Sequence, residues 1–240
     1  MPEAIGEFRV LTSGAFTAAL VALTPLLESI LGKNVIAAST SIGIGESYIP
    51  NRLKRGEAAD IVIVADAILR DCVRDGLVLA DGCTPLVISL IGMAVKQSAP
   101  KPDISSVDAF RETLLKARSI AYSASVSGQY LTTEVFQQLR IADAVSAKGR
   151  LVGSERVGAV VARGEAEIGF EQISELMPVP GIAHITPLPE TLQKKSIFSA
   201  GVAARCPDIS LARRAIAFLT SPAAEIAIRE SGLLPVRLSA

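Results

Sequence analysis

Hydrophobic and polar residues follow one another along this chain in the rhythm of strand–turn–helix units. Phe8 to Thr12 reads as a strand, and Ala15 to Leu31 follows as a helix whose apolar residues recur at the spacing of one buried face. Pro25 lies inside that helix, so a kink or break there fits the pattern. Asn34 to Ala38 and Asp60 to Ala65 are the next strands. The first part of the chain therefore predicts an α/β unit.

A second set of strand–turn–helix units fills the middle of the chain, with strands predicted at 119–122, 150–152 and 167–171. Two long β-rich runs, 86–95 and 196–204, read as strands that cross from one domain to another. We therefore expect lobe one to comprise 1–85 plus 199–240 and lobe two to comprise 86–198, with the two crossing strands as the hinge. Such an architecture closes on a small ligand held in the cleft between the lobes.

Hydroxyl- and glycine-containing turns recur where predicted strands run into helices. They occur at Ser13-Gly14, at Ser39-Thr40-Ser41, between Ser123 and Gly128, and at Gly153-Ser154. Hydroxyl donors and the positive end of a helix together suit an anion, and parallel strands bring such turns to one edge of the sheet. Each turn alone is more often a plain helix cap.

The overall composition excludes several classes of function. Half of the 240 residues are hydrophobic, and 24 basic residues balance 24 acidic ones, with aromatic residues at only 4%. Nothing here is typical of a nucleic-acid-binding protein. We find no apolar stretch of the roughly 18 residues needed to cross a bilayer, so we expect no membrane insertion.

The residues that hold metals or form disulfides are few and dispersed. The three cysteines have no C-x-x-C spacing, and the one histidine, His184, lies in a Pro-rich region that reads as a loop. No metal and no other cofactor is indicated. No Ser-His-Asp arrangement is evident either, because the sequence lacks a nucleophile elbow.

The N-terminal segment Met1 to Phe8 has two acidic residues and no basic region, so it does not read as a secretory signal peptide. We expect a cytoplasmic protein if Met1 is the native start and a periplasmic one if a signal peptide has been removed.

Several phrases in this order resemble the molybdate-binding branch of the type II periplasmic substrate-binding proteins. These are LTSG at 11–14, STS at 39–41, RGEAAD with IVIVAD at 55–66, VARGEAEIG at 161–169 and FLTSPAA at 218–224. The resemblance implies an α/β, two-lobed fold, with a mixed, mostly parallel sheet and flanking helices in each lobe. It also implies a monomer that delivers a small anion to an ABC-transporter permease.

The resemblance further implies an oxyanion site made of neutral hydroxyls and backbone N–H groups. Carried over by position, one lobe contributes Ser13, Ser41 or its neighbour Ser39, and Ala65, and the other contributes Ser125, Ser154 and the residues after Phe170. Where molybdate binders usually place Tyr, this chain has Glu171 and Gln172. A carboxylate in the site would repel a dianion such as molybdate. We therefore expect the ligand to be a larger organic anion such as a di- or tricarboxylate.

Two residues beyond this set enter the expected site. Arg52 is a candidate carboxylate clamp, although an arginine in such a basic turn is more often simply solvated. The phrase GFEQISEL at 169–176 resembles an aconitate-isomerase-like subgroup, in which Glu171 would be the general base. The alternative role for Glu171 is an ion pair with an arginine of lobe one that latches the closed form.

The sequence favours a solute receptor that binds a small oxyanion or carboxylate in the cleft between the lobes. The alternative is a cytoplasmic isomerase of an unsaturated carboxylic acid on the same fold, and a non-catalytic cytoplasmic anion sensor is a third possibility.

Overall fold

The computed structural model describes residues 6–40, 45–81 and 83–236. These residues form two compact units. Unit 1 takes residues 6–40, 45–81, 83–89 and 196–236, and unit 2 takes residues 90–195. Each unit is an α/β arrangement with its own sheet and helices.

The helices and strands follow the chain in an alternating order. The strands are β1 (Glu7–Ser13), β2 (Asn34–Thr40), β3 (Ile61–Ala65), β4 (Thr84–Lys96), β5 (Ile120–Ser123), β6 (Gly149–Val152), β7 (Ile168–Gln172), β8 (Ile182–Pro187), β9 (Lys195–Val202) and β10 (Leu234–Pro235). The helices are α1 (Gly14–Leu31), α2 (Ile49–Lys54), α3 (Asp66–Arg74), α4 (Val107–Lys116), α5 (Val126–Tyr130), α6 (Phe136–Gln138), α7 (Ala142–Ser146), α8 (Val157–Ala162), α9 (Ile173–Leu176), α10 (Ile209–Leu219) and α11 (Glu225–Glu230).

In unit 1, strands β2, β1 and β3 lie side by side and parallel, and β9 runs antiparallel to β3. The first residues of β4 pair with β10. Every residue of β3 is buried, as expected for a strand covered by helices on both faces of a mainly parallel sheet. The sheet therefore delivers the carboxyl ends of β1 and β3 to one edge, where α1 and α3 begin.

Helix α1 is the main helix of unit 1. It has 18 residues with a mean hydropathy of 1.7, so by length and composition it passes the test for a membrane span, and the expectation that no stretch is that long is wrong. Its buried face packs against β1, β2, α10 and α11, which is the environment of a core helix. Pro25 does not end it, and Gly32 stops it in a left-handed conformation at φ 63°.

In unit 2, the strand order is β4, β7, β5, β6, with β5, β6 and β7 parallel. Strand β4 runs antiparallel to both β7 and β8. Between α5 and α6 the helix continues through a π-helical turn at Leu131–Val135. One face of this sheet packs on a core that includes Phe110 and Phe170, whose rings meet edge to face at 5.9 Å.

Most predicted elements are present with ends moved by one or two residues. The region around His184 differs, because it forms β8 rather than a loop, and His184 is exposed with φ 54°. The residues of β8 are only partly buried. A half-exposed strand that ends in proline lacks the apolar run by which the buried strands are recognised.

Candidate functional site

Three serine hydroxyls meet where β5 runs into α5. The Oγ of Ser123 lies 2.7 Å from that of Ser125 and 3.0 Å from that of Ser127, and Ser125 and Ser127 are 3.3 Å apart. Ser123 and Ser127 are buried. Gly128 allows this close packing, because a Cβ there would lie 1.7 Å from the carbonyl oxygen of Ser123. We call these three serines the hydroxyl cluster.

The parallel strands of unit 2 end at the same level. Ser123 pairs with Val152 of β6, and Tyr122 pairs with Phe170 of β7. The turns after β5 and β6 and the residue that ends β7 therefore share one edge of the sheet. This carboxyl edge is where open α/β sheets bind ligands.

Glu171 lies on the same face of the sheet as the hydroxyl cluster. Ala121 of β5 packs with the apolar residues of α8, and a Cβ at Gly169 of β7 would lie 2.5 Å from Val161 of that helix. Side chains alternate along a strand, so the residues two further on, Ser123 and Glu171, point to that same α8 side. A hydroxyl donor and a carboxyl group thus occupy neighbouring strands.

The carboxyl group of Glu171 is almost fully removed from solvent. The residue is 1% exposed, and its Oε2 accepts a hydrogen bond of 3.1 Å from the backbone N–H of Val157 at the start of α8. Burial raises the pKa of Glu171 to about 7, against the opposing effects of Arg156 and of the N–H groups at that helix start. A carboxyl group with that pKa can both accept and return a proton near neutral pH. The same bond also stabilises α8, which is the structural role open to Glu171.

A second buried carboxyl group, Glu175 of α9, lies four residues beyond Glu171 and is 6% exposed. Burial raises its pKa well above the usual range, the charge of Glu171 adds to the rise, and Arg156 opposes it. Arg156 donates from Nη1 to the backbone carbonyl of Glu175 at 2.8 Å. One cation thus acts on two buried carboxyl groups, and the neutral form of Glu175 is favoured by burial and by the neighbouring charge of Glu171.

In unit 1, Ser13 occupies the N-cap position of α1. Its hydroxyl makes no capping bond, and the buried Oγ has no hydrogen-bond partner among the residues that the structure describes. Ala65 holds the corresponding position before α3, where Asp66 accepts a bond of 2.7 Å from the hydroxyl of Ser199. The hydroxyl of Ser13 therefore forms no hydrogen bond within the described part of unit 1.

The other predicted site residues have varied positions. Ser41 lies outside the described residues, and Ser39 belongs to β2, next to β1. Ser154 is exposed in the turn between β6 and α8, and Gln172 is 2% exposed at the end of β7. Their roles as ligands remain predictions.

Arg52, the predicted carboxylate clamp, already has a carboxylate partner. Its Nε donates to Oε2 of Glu57 at 2.7 Å and its Nη2 donates to Oε1 of the same residue. This two-point ion pair occupies the fork that a clamp would need. The arrangement agrees with the structural interpretation of Arg52.

The sequence interpretation did not single out Arg156 and Glu175. The charged partner that lowers the pKa of Glu171 is Arg156, in the same unit. A signal existed in the phrase EQISE at 171–175, which places two carboxyl groups four residues apart where a buried strand ends. A local pattern does not show that Arg156, from another turn, faces both.

No metal site or reactive thiol is evident in the described chain. Across residues 6–40, 45–81 and 83–236, His, Cys, Asp and Glu side chains form no group of three that could hold a metal ion. The cysteines are free, and burial raises the pKa of both Cys72 and Cys206 to about 11. Thiols with such pKa values are poor nucleophiles at neutral pH.

Comparison with known proteins places this geometry in a family. Residues 8–234 match the family model of bacterial extracellular solute-binding proteins. The chain is also 43% identical over 235 residues to the aconitate isomerase of a Pseudomonas species, a match that covers 98% of this chain and 90% of that protein.

Solved structures show the same fold at low sequence identity. The sulfate-binding protein SubI of Mycobacterium tuberculosis superposes with a TM-score of 0.77 at 16% identity, over 96% of this chain and 87% of that one. The periplasmic molybdate-binding protein of Azotobacter vinelandii gives a TM-score of 0.72 at 16% identity, over 97% of this chain and 100% of that one. The expected type II periplasmic-binding fold class is thereby confirmed, and the chain belongs to the bacterial extracellular solute-binding protein family.

Proposed function

We propose that this protein binds an unsaturated tricarboxylate and isomerises it by moving a proton between two of its carbon atoms. The observation that carries the proposal is the buried carboxyl group of Glu171, with a pKa of about 7, beside the hydroxyl cluster. The near full-length similarity to an aconitate isomerase supports the substrate class.

The chemistry needs one group that takes and returns a proton and several that stabilise charge. The carboxylate of Glu171 removes a proton from the CH₂ group next to the double bond of the substrate. The electron pair then spreads over the three-carbon allyl system and onto a neighbouring carboxylate, which gains enolate character. The proton returns from Glu171 to the far carbon, the double bond shifts, and no cofactor or co-reactant is consumed.

The hydroxyl cluster has the properties of a stabiliser for the enolate oxygen. Its members already hydrogen-bond to one another, so their hydroxyls are held in place before a ligand arrives. Donors fixed in advance and screened from water stabilise developing negative charge more than mobile ones do. Ser125, the least buried of the three, is the member we expect to reach the substrate.

The experiment incubates purified protein with trans-aconitate in D₂O and follows the mixture by proton NMR. We expect cis-aconitate to form, with deuterium entering the CH₂ position when the proton on Glu171 exchanges with solvent. The matched variant Glu171→Gln keeps an oxygen that can accept the Val157 N–H bond, so it should stay folded, bind and fail to convert. Conversion by Glu171→Gln at the wild-type rate would exclude Glu171 as the base.

The second candidate is a receptor that binds an anion without converting it and delivers it to an ABC-transporter permease from the periplasm. Family membership favours it. The buried hydroxyl of Ser13 also favours it, because it has no hydrogen-bond partner within the described ranges and is a neutral donor of the kind that suits an oxyanion. Thermal shift against molybdate, tungstate, sulfate, citrate and the two aconitates separates the candidates. A shift with the inorganic oxyanions alone, without turnover of aconitate, would support the receptor and contradict the isomerase.

A further inference from the structure

Arg156 lies at the carboxyl edge of the unit 2 sheet, in the turn between β6 and α8. It directly precedes Val157, whose N–H group bonds to Glu171, and follows Ser154 by two residues. The side chain is partly buried rather than solvated. Arg156 is therefore a cation beside both the candidate base and the turns that bear hydroxyl groups.

Most N–H groups of the Arg156 guanidinium have no hydrogen-bond partner among the residues that the structure describes. The group has five N–H donors, and its one hydrogen bond within the described chain runs from Nη1 to the Glu175 carbonyl oxygen. Other arginines of unit 2 are used differently: Arg118, Arg150 and Arg163 each form an ion pair with a glutamate side chain. Those pairs are partly or largely exposed, as ordinary surface ion pairs are.

The buried carboxyl groups do not use up the charge of Arg156. Burial and the charge of Glu171 both raise the pKa of Glu175, which favours its neutral form, and no ion pair joins Glu175 to Arg156 among the described residues. Glu171 directs Oε2 to the N–H of Val157, and no ion pair joins it to Arg156 in the described residues. A partly buried arginine with spare donors matches the planar, two-oxygen geometry of a carboxylate.

We propose that Arg156 binds one carboxylate of the substrate through the N–H groups that Glu175 does not use, and that it thereby selects tricarboxylates over ligands that lack that carboxylate. The substrate class rests on the function proposed above, but the contact concerns binding alone. Arg156 takes the role of carboxylate clamp that the sequence suggested for Arg52, because the guanidinium of Arg52 is already paired with Glu57. The contact also holds the substrate next to Glu171 and offsets the repulsion between the two negative groups.

The test uses saturated ligands, so that binding is measured without turnover. Calorimetry compares propane-1,2,3-tricarboxylate with glutarate, which lacks the central carboxylate, and with methylsuccinate, which lacks a terminal one. These three titrations are repeated with Arg156→Gln and with Arg156→Lys, which keeps the charge but loses the fork. The control is Arg118→Gln, at the opposite end of the same strands, where the side chain is 90% exposed.

We expect Arg156→Gln to bind the tricarboxylate about 10- to 100-fold more weakly, the range of a lost charge-assisted hydrogen bond, and Arg156→Lys to lie between it and the wild type. For one of the two dicarboxylates, Arg156→Gln and the wild type should bind alike, because the partner carboxylate is already missing. Arg118→Gln should match the wild type throughout.

Equal tricarboxylate affinity in Arg156→Gln and the wild type would overturn the clamp and leave the isomerase proposal standing. An equal loss for all three ligands would also overturn it, since a general disturbance of the site then explains the result; Arg156→Lys shows whether such a disturbance follows from lost charge. Failure of the wild type to bind any tricarboxylate would overturn both proposals. Binding without conversion of trans-aconitate would overturn the isomerase alone.

Discussion

Replacing Glu171 by Gln should change how the stability of the protein depends on pH. Burial raises the pKa of Glu171 from 4.5 to about 7 in the folded protein, while the unfolded chain keeps the ordinary value. A raised pKa means that the folded state binds the proton more tightly, so this group's contribution is fully present below pH 4.5 and is lost as the pH rises to about 7. Gln carries no proton to lose and lacks this dependence.

The magnitude follows from the same pKa. A rise from 4.5 to about 7 corresponds to about 3 kcal/mol at about 1.4 kcal/mol per pH unit. Relative to the wild type, Glu171→Gln should therefore gain about 3 kcal/mol in free energy of unfolding between pH 4.5 and pH 8, on top of any constant offset. Ionisable groups that do not interact with Glu171 are common to both proteins, so their contributions cancel in the difference; Glu175, whose pKa the charge of Glu171 helps to raise, does not cancel fully.

Urea denaturation of both proteins, followed by circular dichroism at half-unit steps from pH 4.5 to pH 8, measures this difference. A difference that does not change with pH would refute the reasoning, because it would mean that Glu171 has an ordinary pKa. A variant that loses stability as the pH rises would show that the carboxylate is worth more as a charged partner of α8 than it costs to bury.

Three further changes have expected outcomes of different kinds. Glu175→Gln should gain on the wild type by up to about 1.4 kcal/mol per pH unit as the pH rises above 4.5 in the same urea titration, since the pKa of Glu175 is raised well above 4.5; a difference that does not change with pH would contradict the raised pKa. Gly128→Ala should cost roughly 3 kcal/mol or more of unfolding free energy in urea at neutral pH, because the new Cβ meets the Ser123 carbonyl oxygen; a near-neutral effect would contradict the close packing of α5 on β5. Ser13→Ala should leave the thermal midpoint without ligand almost unchanged, since the hydroxyl caps nothing, yet reduce the shift produced by citrate; an unreduced shift would remove Ser13 from the site.

The fold could be predicted because its signals are local and repeated. The buried strand IVIVA at 61–65 and the 18-residue helix α1 are long enough that their periodicity decides their type. Strand β8 and the four-residue helix α9 could not be predicted in this way. Their residues are too few or too exposed for a pattern, and their structure depends on pairing with β4 and on the carboxyl edge of the sheet.

The residues of the candidate site likewise differ in how far the local sequence reveals them. Ser125 and Glu171 could be chosen as candidates from the sequence, because a hydroxyl after a strand and a carboxyl group within one are visible there. Arg52 and Arg156 could not be distinguished, since both are arginines near a turn. The choice between them depends on partners: Glu57, five residues away, accepts from both Nε and Nη2 of Arg52, whereas among the described residues Arg156 donates to a single carbonyl oxygen. Which partner a side chain contacts depends on the tertiary structure and cannot be seen in the local sequence.

The charge around Glu171 leads to a kinetic prediction that separates the free from the occupied site. A bound tricarboxylate brings negative charge to a carboxyl group whose pKa is already about 7, and a like charge raises that pKa further. Arg156 opposes the rise without cancelling several carboxylates. In the proposed isomerase, activity that needs ionised Glu171 should therefore increase with pH. The apparent pKa should lie near 7 in kcat/KM, which reports the free protein, and higher in kcat, which reports the complex with substrate. Initial rates of trans-aconitate conversion from pH 5.5 to pH 9 measure both apparent pKa values.

In Arg156→Gln the apparent pKa in kcat/KM should itself rise, because the cation that lowers the pKa of Glu171 is gone. A lower apparent pKa in kcat than in kcat/KM would mean that the substrate's charge is neutralised more completely than one arginine allows, and Glu171 would then not be the group that titrates.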